Sequence, residues 1–313
     1  SPKSPRHLQF AYLQSSLVVE YIVARHGIDK LRAILQDLRE GGEINEALAK
    51  HTVELAELEK GFAAYARERA QQLAPGLSWE RPEAELFLEE GATELATFER
   101  KHPDNYWVLR AKAQRLTEKQ QLAEALPPLR RLVELYPDQK GSDSAYRPLA
   151  AALRSLNDAA GEREVLKKWV EVDDEATEGY LRMMELAAAE QDWPTVARNS
   201  ERYLSVNPLV APPYRFLAQA ATGTGDDSTA VVAWRTLIQL DTPDRSEAHF
   251  QLARLLHKRG DQAEARGHVL HALEETPRYR SALQLLLEIS RAPAMQPPES
   301  TSPGTPTPPK KAE

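Results

Sequence analysis

The feature that most constrains this fold is a pattern of apolar and small side chains that recurs about every 34 residues. Its clearest copy, residues 246–277, places His249, Leu252, Ala253 and Leu256 three or four positions apart. That spacing puts all four side chains on one face of an α-helix. The copy therefore begins with a predicted amphipathic helix.

The second half of the same copy predicts a helix that turns back on the first. Ala265, Val269 and Ala272 continue the helical spacing, and Gly260 supplies a turn residue between the two helices. Pro277 ends the second helix, because proline cannot continue an α-helix. A single hairpin of this kind cannot bury its own apolar face, so it requires neighbours.

The neighbouring hairpins are present in the sequence. Successive copies start at positions 143, 177, 211 and 246, so they lie 34, 34 and 35 residues apart. Spacing this regular predicts hairpins that stack on one another. The repeats are predicted at residues 106–137, 143–174, 177–208, 211–243 and 246–277, with the second helix of a degenerate repeat at 82–101 and a capping helix at 279–291.

This pattern resembles the tetratricopeptide repeat (TPR). The resemblance implies an all-α fold, namely a TPR-type α-solenoid in which helical hairpins form a right-handed superhelix, preceded by a small helical block. We expect the helical block at 1–74, a solenoid of about five to six repeats plus a capping helix at 75–292, and a disordered Pro-rich tail at 293–313.

The first 74 residues lack the repeat pattern but still predict helices. Residues 1–8 read as a loop, and Tyr12, Leu13, Leu17 and Tyr21 predict a largely buried helix that ends at about Gly27. Further helices are expected at 28–40, 44–50 and about 53–73.

Residues 9–70 also resemble the C-terminal helical end of gluzincin-type (peptidase MA-like) metallopeptidase domains. The similarity lies in three runs: Val19-Glu20-Tyr21-Ile22-Val23, Arg39-Glu40-Gly41 and Leu58-Glu59-Lys60-Gly61-Phe62. That family implies zinc-dependent hydrolysis, but none of the eight histidines here opens an HExxH motif. The sequence thus predicts no catalytic residue and no metal ligand. The chain begins with Ser1 rather than Met, so we expect an upstream part, which could carry the peptidase motif.

Composition excludes several other classes. The net charge of −7 gives no general basic field for nucleic acid. Cysteine is absent, which excludes disulfides and thiolate sites. No apolar run reaches the roughly 18 residues needed to span a bilayer. The motifs GxGxxG, Walker A and GxSxG are missing, so no cofactor is predicted. Both a cytoplasmic and a bacterial periplasmic location fit this composition.

The TPR resemblance implies a concave groove lined by the first helix of each repeat. Arg110, Arg147 and Arg215 occupy the same repeat position and would form a ladder able to grip carboxylates. The sequence thus predicts an interaction scaffold that binds a protein or peptide, with an acidic or C-terminal carboxylate segment as the expected ligand. The predicted groove residues are Trp107, Arg110, Gln114, Arg147, Arg154, Arg215, Gln219, Phe250, Arg254, His257 and Lys258.

Plainer interpretations compete with each of these sites. The charged groove positions could form an ordinary solvated face. His268, His271 and Glu274 share one helix face but are interpreted as surface residues rather than metal ligands. Met183, Met184, Trp169 and Trp234 are interpreted as core at helical spacing. The alternative function is that this chain is the C-terminal portion of a zinc metallopeptidase.

Overall fold

The computed structural model describes residues 5–83, 86, 92–240 and 243–291. These residues form sixteen α-helices, and the only β-type pairing among them is an isolated bridge between Ser78 and Asn105. The predicted all-α fold class, built of stacked helical hairpins, is confirmed. The chain divides into two compact units, Ser1–Asp158 and Ala159–Glu313.

Unit 1 contains eight helices among its described residues. The first four pack around a small core of Tyr21, Ile22, Ile34, Ala47 and Leu58. The helices are α1 (Pro5–His26), α2 (Ile28–Arg39), α3 (Ile44–His51), α4 (Leu55–Gln72), α5 (Ala92–Lys101), α6 (Tyr106–Glu118), α7 (Leu122–Leu135) and α8 (Tyr146–Ser155).

Helix α1 departs from the sequence expectation at its start. It begins at Pro5, inside the predicted loop 1–8. The predicted burial is wrong for Tyr12 and Leu13, which are 69% and 58% exposed. Only the last part of α1 reaches the core, where Tyr21 packs against Phe62 of α4 with ring centroids 6.0 Å apart. The apolar spacing correctly predicted the helix but not how much of it is covered.

The first full hairpin of unit 1 is anchored by Asn105. Its side-chain oxygen accepts the Val108 N–H at 3.1 Å, which caps α6. Its side-chain nitrogen donates to the carbonyl of Glu80 at 2.6 Å and so ties the preceding segment to the same point. Pro127 and Pro128 lie inside α7, which begins at Leu122.

Unit 2 continues the hairpin pattern. Its helices are α9 (Ala159–Val172), α10 (Thr177–Ala189), α11 (Trp193–Val206), α12 (Ala211–Thr224), α13 (Asp227–Gln239), α14 (Arg245–Arg259), α15 (Gln262–Glu275) and α16 (Arg280–Arg291). Helix α16 packs on α15 and α14, as predicted for a capping helix. Ala253 of α14 and Ala265 of α15 are fully buried where the two helices meet. Their small side chains allow the helices to approach each other closely.

Four residues of unit 2 that the sequence placed in the core are buried there. Met183, Met184, Trp169 and Trp234 are buried, so their interpretation as core residues is correct. The expected domain boundaries at residues 74 and 292 remain a prediction, since the division into compact units falls instead between α8 and α9. The predicted disordered tail at 293–313 lies outside the described residues.

The first helix of each repeat is followed by one residue in the left-handed region of backbone space. Gly225 and Gly260 do so with φ of 79° and 89°, which glycine adopts without strain. Gln120, Asn157 and Gln191 take the equivalent places with φ between 58° and 59°. The turn at Gly260 was predicted from the sequence, whereas the residue types at Gln120, Asn157 and Gln191 give no comparable signal.

Candidate functional site

Among the repeat helices of unit 2 a cleft lies between α12 and α14, here called the α12–α14 cleft. Its volume is about 570 Å³, within the range typical of ligand pockets. Its lining comprises Trp193, Arg215, Gln219, Thr222, Gly223, Trp234, Leu237, Asp244, Glu247, Ala248, Gln251 and Arg254.

The apolar part of this cleft is supplied by side chains from three helices, α11, α13 and α14. Trp234 of α13 is 4% exposed, and its indole Nε1 has no hydrogen-bond partner among the described residues. Trp193 of α11 lies directly against Gly223 of α12, where an added Cβ would come within 2.4 Å of the indole Nε1. Leu237 and Ala248 add further apolar surface. Glycine at position 223 is therefore required for the position of Trp193.

Charged groups surround this apolar surface, and most of them are already paired. Arg215 Nη2 lies 2.7 Å from Asp244 Oδ2 in a partly exposed ion pair. Both oxygens of Glu247 are held: Oε1 accepts from Gln251 Nε2 at 2.6 Å, and Oε2 accepts from the Tyr279 hydroxyl. Burial, and then this hydrogen bond, raise the pKa of Tyr279.

Arg254 differs from the other charged residues of the cleft. It is exposed and, within the described part of the chain, forms no ion pair. A guanidinium group presents several donors in a fixed fork that matches a carboxylate. Arg254 is thus the cleft cation most readily available to an acidic ligand.

Unit 1 contains a smaller cleft between α6 and α8, here called the α6–α8 cleft, with a volume of about 250 Å³. Arg110 Nη2 lies 2.6 Å from Asp143 Oδ1, which precedes α8 just as Asp244 precedes α14. The two clefts use the same repeat positions in α6–α7 and α12–α13. The equivalent pairs are Arg110 and Arg215, Gln114 and Gln219, Thr117 and Thr222, Glu118 and Gly223, Leu129 and Trp234, and Leu132 and Leu237.

Five of the eleven predicted groove residues line one of these clefts: Arg110, Gln114, Arg215, Gln219 and Arg254. Trp107, Arg147 and Arg154 belong to α6 and α8 but lie outside the lining of the α6–α8 cleft. Trp107 instead carries the Arg81 guanidinium 4.9 Å above its ring.

The last three predicted residues have other structural roles. Phe250 is only 9% exposed and packs against Tyr279, with ring centroids 4.9 Å apart. His257 bonds Gln262 Oε1 at 2.6 Å across the turn. Lys258 Nζ lies 2.7 Å from Asp227 Oδ2. These three side chains stabilise the α13–α15 region rather than line a cleft.

Sequence reasoning missed the acidic residues at the mouths of the clefts and the two tryptophans of the larger one. Asp143 and Asp244 lie just before a first helix, so the groove positions of those helices did not include them. Trp193 and Trp234 belong to second helices. The spacing of Trp234 indicated core, and Trp193 was not singled out. A signal that could have found the aspartates was the pairing of a first-helix arginine with an aspartate in the few residues before the next first helix.

No family model matches the chain, and no curated protein matches it. Among solved structures the chain is similar to YrrB, described as a TPR protein with an unusual peptide-binding site, with a TM-score of 0.49, 12% identity, and coverage of 61% of this chain and 96% of that one. It is similar to MamA from Desulfovibrio magneticus RS-1 with a TM-score of 0.41, 19% identity, and coverage of 55% and 96%. For TTC0263, a thermophilic TPR protein in Thermus thermophilus, the values are 0.34, 20%, 58% and 95%.

The fold assignment rests on the hairpins of the chain itself. None of the matches supports the resemblance of residues 9–70 to the end of a gluzincin domain. Among the described residues, no three His, Cys, Asp or Glu side chains are arranged to hold a metal ion. No described helix combines the length and apolar character that a bilayer crossing requires.

Proposed function

We propose that this protein is a non-enzymatic interaction scaffold that holds a peptide segment of a partner protein in the α12–α14 cleft. The observation that carries the proposal is the joint presence of buried apolar surface, amide side chains and an available arginine in one opening of about 570 Å³. Peptide grooves typically combine an apolar surface for side-chain burial with a few polar groups that fix orientation.

The charges of the cleft favour an acidic segment, or a C-terminal carboxylate, as the ligand. Arg254 is exposed and has no ion-pair partner among the described residues, so it can bind a carboxylate without breaking an existing pair. The Arg215–Asp244 pair is 40% and 56% exposed, and exposed pairs contribute only about 0.2–1 kcal/mol. A ligand carboxylate could therefore displace Asp244 from Arg215 at small cost.

A comparison of two arginine variants tests this proposal. A fluorescein-labelled library of acidic and of charge-neutralised peptides is titrated by anisotropy against the wild type, Arg254→Ala and Arg235→Ala. Arg235 belongs to α13 and pairs with Glu264 at 2.6 Å, outside the cleft lining, so its variant removes the same charge without touching the site.

We expect acidic peptides to bind about tenfold or more weakly to Arg254→Ala, because hydrogen bonds to charged groups contribute about 1.5–3 kcal/mol. Arg235→Ala should bind like the wild type. Equal affinity for acidic and neutralised peptides, or equal losses in the two variants, would contradict the proposal.

A further inference from the structure

A cluster of three histidines connects α14, which forms one wall of the α12–α14 cleft, to α15. His249 of α14 and His268 of α15 face each other with their Nδ1 atoms 2.9 Å apart. The ring of His271 lies 5.2 Å from that of His249 and 6.4 Å from that of His268. The sequence-based interpretation of His268 as a surface residue is wrong, because its side chain is only 20% exposed.

The contact between the two Nδ1 atoms restricts the protonation state of the pair. One ring must donate an N–H and the other must accept it. His268 Nε2 lies 3.7 Å from Glu264 Oε1, which favours a proton on Nε2 and leaves His268 Nδ1 as the acceptor. His249 then donates from Nδ1. A second proton between the rings would set two N–H groups against each other and break the hydrogen bond.

The surroundings of His249 disfavour an extra charge. Its side chain lies in the core of unit 2, and the residue is only 6% exposed. Arg245 on its own helix and His268 and His271 on α15 oppose a positive charge there, while Glu274 on α15 favours it. The charged groups that act on His268 are Glu264 and His271 on its own helix and Arg235 on α13.

Helix α14 links this pair to the cleft. Its cleft-lining residues include Glu247, Ala248, Gln251 and Arg254, and Ala248 is the direct neighbour of His249. A change in how α14 packs on α15 therefore changes the position of the cleft wall.

We propose that the His249–His268 pair makes the α12–α14 cleft acid-sensitive, so that protonation of the pair loosens α14 from α15 and releases the bound segment. The proposal rests on the proposed function for the release step, whereas the loosening of α14 is a property of the unbound chain.

The direction of the effect follows from burial. Burial, followed by the charges of the neighbouring histidines and Arg245, lowers the pKa of His249 to about 4. Burial also lowers the pKa of His268. Because the unfolded chain takes up the proton at its ordinary pKa of about 6.5, folded-state stability is lost as the pH falls from about 6.5 towards 4.

Hydrogen exchange of the full chain without ligand tests the loosening step. Protection is measured at pH 7 and pH 5 after correction for intrinsic exchange rates. We expect α14 and α15 to lose protection about tenfold at pH 5, since one pKa unit corresponds to a tenfold change in the equilibrium. Helices α6 and α7, which contain no histidine, should change little.

Two variants and a direct titration complete this test. His249→Gln should remove most of the pH effect, whereas His257→Gln on the same helix should retain it. If His249→Gln folds poorly, an NMR titration of the wild-type imidazoles replaces it, and a His249 that titrates near its ordinary pKa of about 6.5 would overturn the proposal. An equal loss of protection in both hairpins would also overturn it.

Binding measured at the same two pH values separates the two proposals. Carboxylates titrate near pH 4, so an acidic peptide stays charged at pH 5. Loosening at pH 5 without peptide binding at either pH would refute the proposed function and support the loosening of α14 by acid. Equal peptide binding at pH 7 and pH 5 would refute acid-driven release and support the proposed function.

Discussion

The α6–α8 cleft and the α12–α14 cleft share a plan but differ in what fills them. In both, an arginine of the first helix pairs with an aspartate that precedes the next first helix, at 2.6 Å for Arg110–Asp143 and 2.7 Å for Arg215–Asp244. In both, a threonine bonds back within its helix, Thr117 at 2.8 Å and Thr222 at 2.7 Å. The repeat therefore fixes the polar frame of the opening.

The two clefts differ at two positions next to these polar residues. Glu118 follows Thr117 in unit 1 and accepts a hydrogen bond from Gln114 at 2.9 Å. Gly223 follows Thr222 in unit 2 and leaves room for the Trp193 indole. Leu129 in unit 1 corresponds to Trp234 in unit 2. The cleft with Glu118 and Leu129 has a volume of about 250 Å³, and the one with Gly223 and Trp234 has a volume of about 570 Å³.

The largest expected effect comes from placing in the α12–α14 cleft the residue found at the equivalent position of the α6–α8 cleft, where Leu129 corresponds to Trp234. We call this position the floor of each cleft. Trp234→Leu removes part of the side chain of a residue that is only 4% exposed, and we expect a loss of about 2–3 kcal/mol in the free energy of unfolding, somewhat below the cost of a Trp→Ala change. Urea unfolding followed by circular dichroism at 222 nm measures it. As a control, Leu209→Ala changes a side chain that is 80% exposed and should leave stability nearly unchanged. A loss for Trp234→Leu as small as the control's would show that Trp234 does not organise this floor.

The second prediction concerns the space beside Gly223, which the Trp193 indole occupies because glycine has no side chain. An alanine Cβ at 223 would lie 2.4–2.8 Å from three atoms of the Trp193 ring, so the ring must move. We expect Gly223→Ala to cost about 1–3 kcal/mol, as overpacking does, and to shift tryptophan fluorescence.

Gly267→Ala is the matched control for this prediction. Gly267 lies inside α15, and an added Cβ there would meet nothing within 4 Å. The control variant should gain about 0.5–1 kcal/mol, because alanine favours helix over glycine. If both alanine variants were stabilised, the proposed fit between Gly223 and Trp193 would be wrong.

The polar residues at the opening of a cleft and the apolar residues at its base differ in how well the sequence predicts them. The helices follow from the spacing of apolar residues, which depends only on helix geometry. The groove positions of the arginines are what the resemblance to the TPR implies. Arg110, Gln114, Arg215 and Gln219 were therefore predicted from repeat position alone. The left-handed turn at Gln120 was not predicted, because its residue type gives no such signal.

The contents of the larger cleft depend on contacts between repeats, which spacing within one repeat does not encode. Trp193 reaches the cleft only because Gly223, in the next repeat, lacks a side chain. His249 occupies an apolar-face position by sequence, and its partner His268 becomes visible only once α14 and α15 are packed together. Phe250 was assigned to the groove by its repeat position. Its contact with Tyr279, which lies between α15 and α16, places it in the core instead.

The smallest predicted effect concerns the arginine–aspartate ion pair that both clefts contain. Double-mutant cycles with Arg110→Gln and Asp143→Asn, and with Arg215→Gln and Asp244→Asn, measure the coupling in each ion pair. Both pairs are about half exposed, at 40% and 59% in unit 1 and 40% and 56% in unit 2. We therefore expect couplings of about 0.2–1 kcal/mol, equal within error and weakened by salt. A coupling of about 2 kcal/mol or more at Arg215–Asp244 alone would indicate a desolvated pair. A ligand carboxylate could then no longer displace Asp244 at small cost, and Arg254 would be left as the anchoring cation of the α12–α14 cleft.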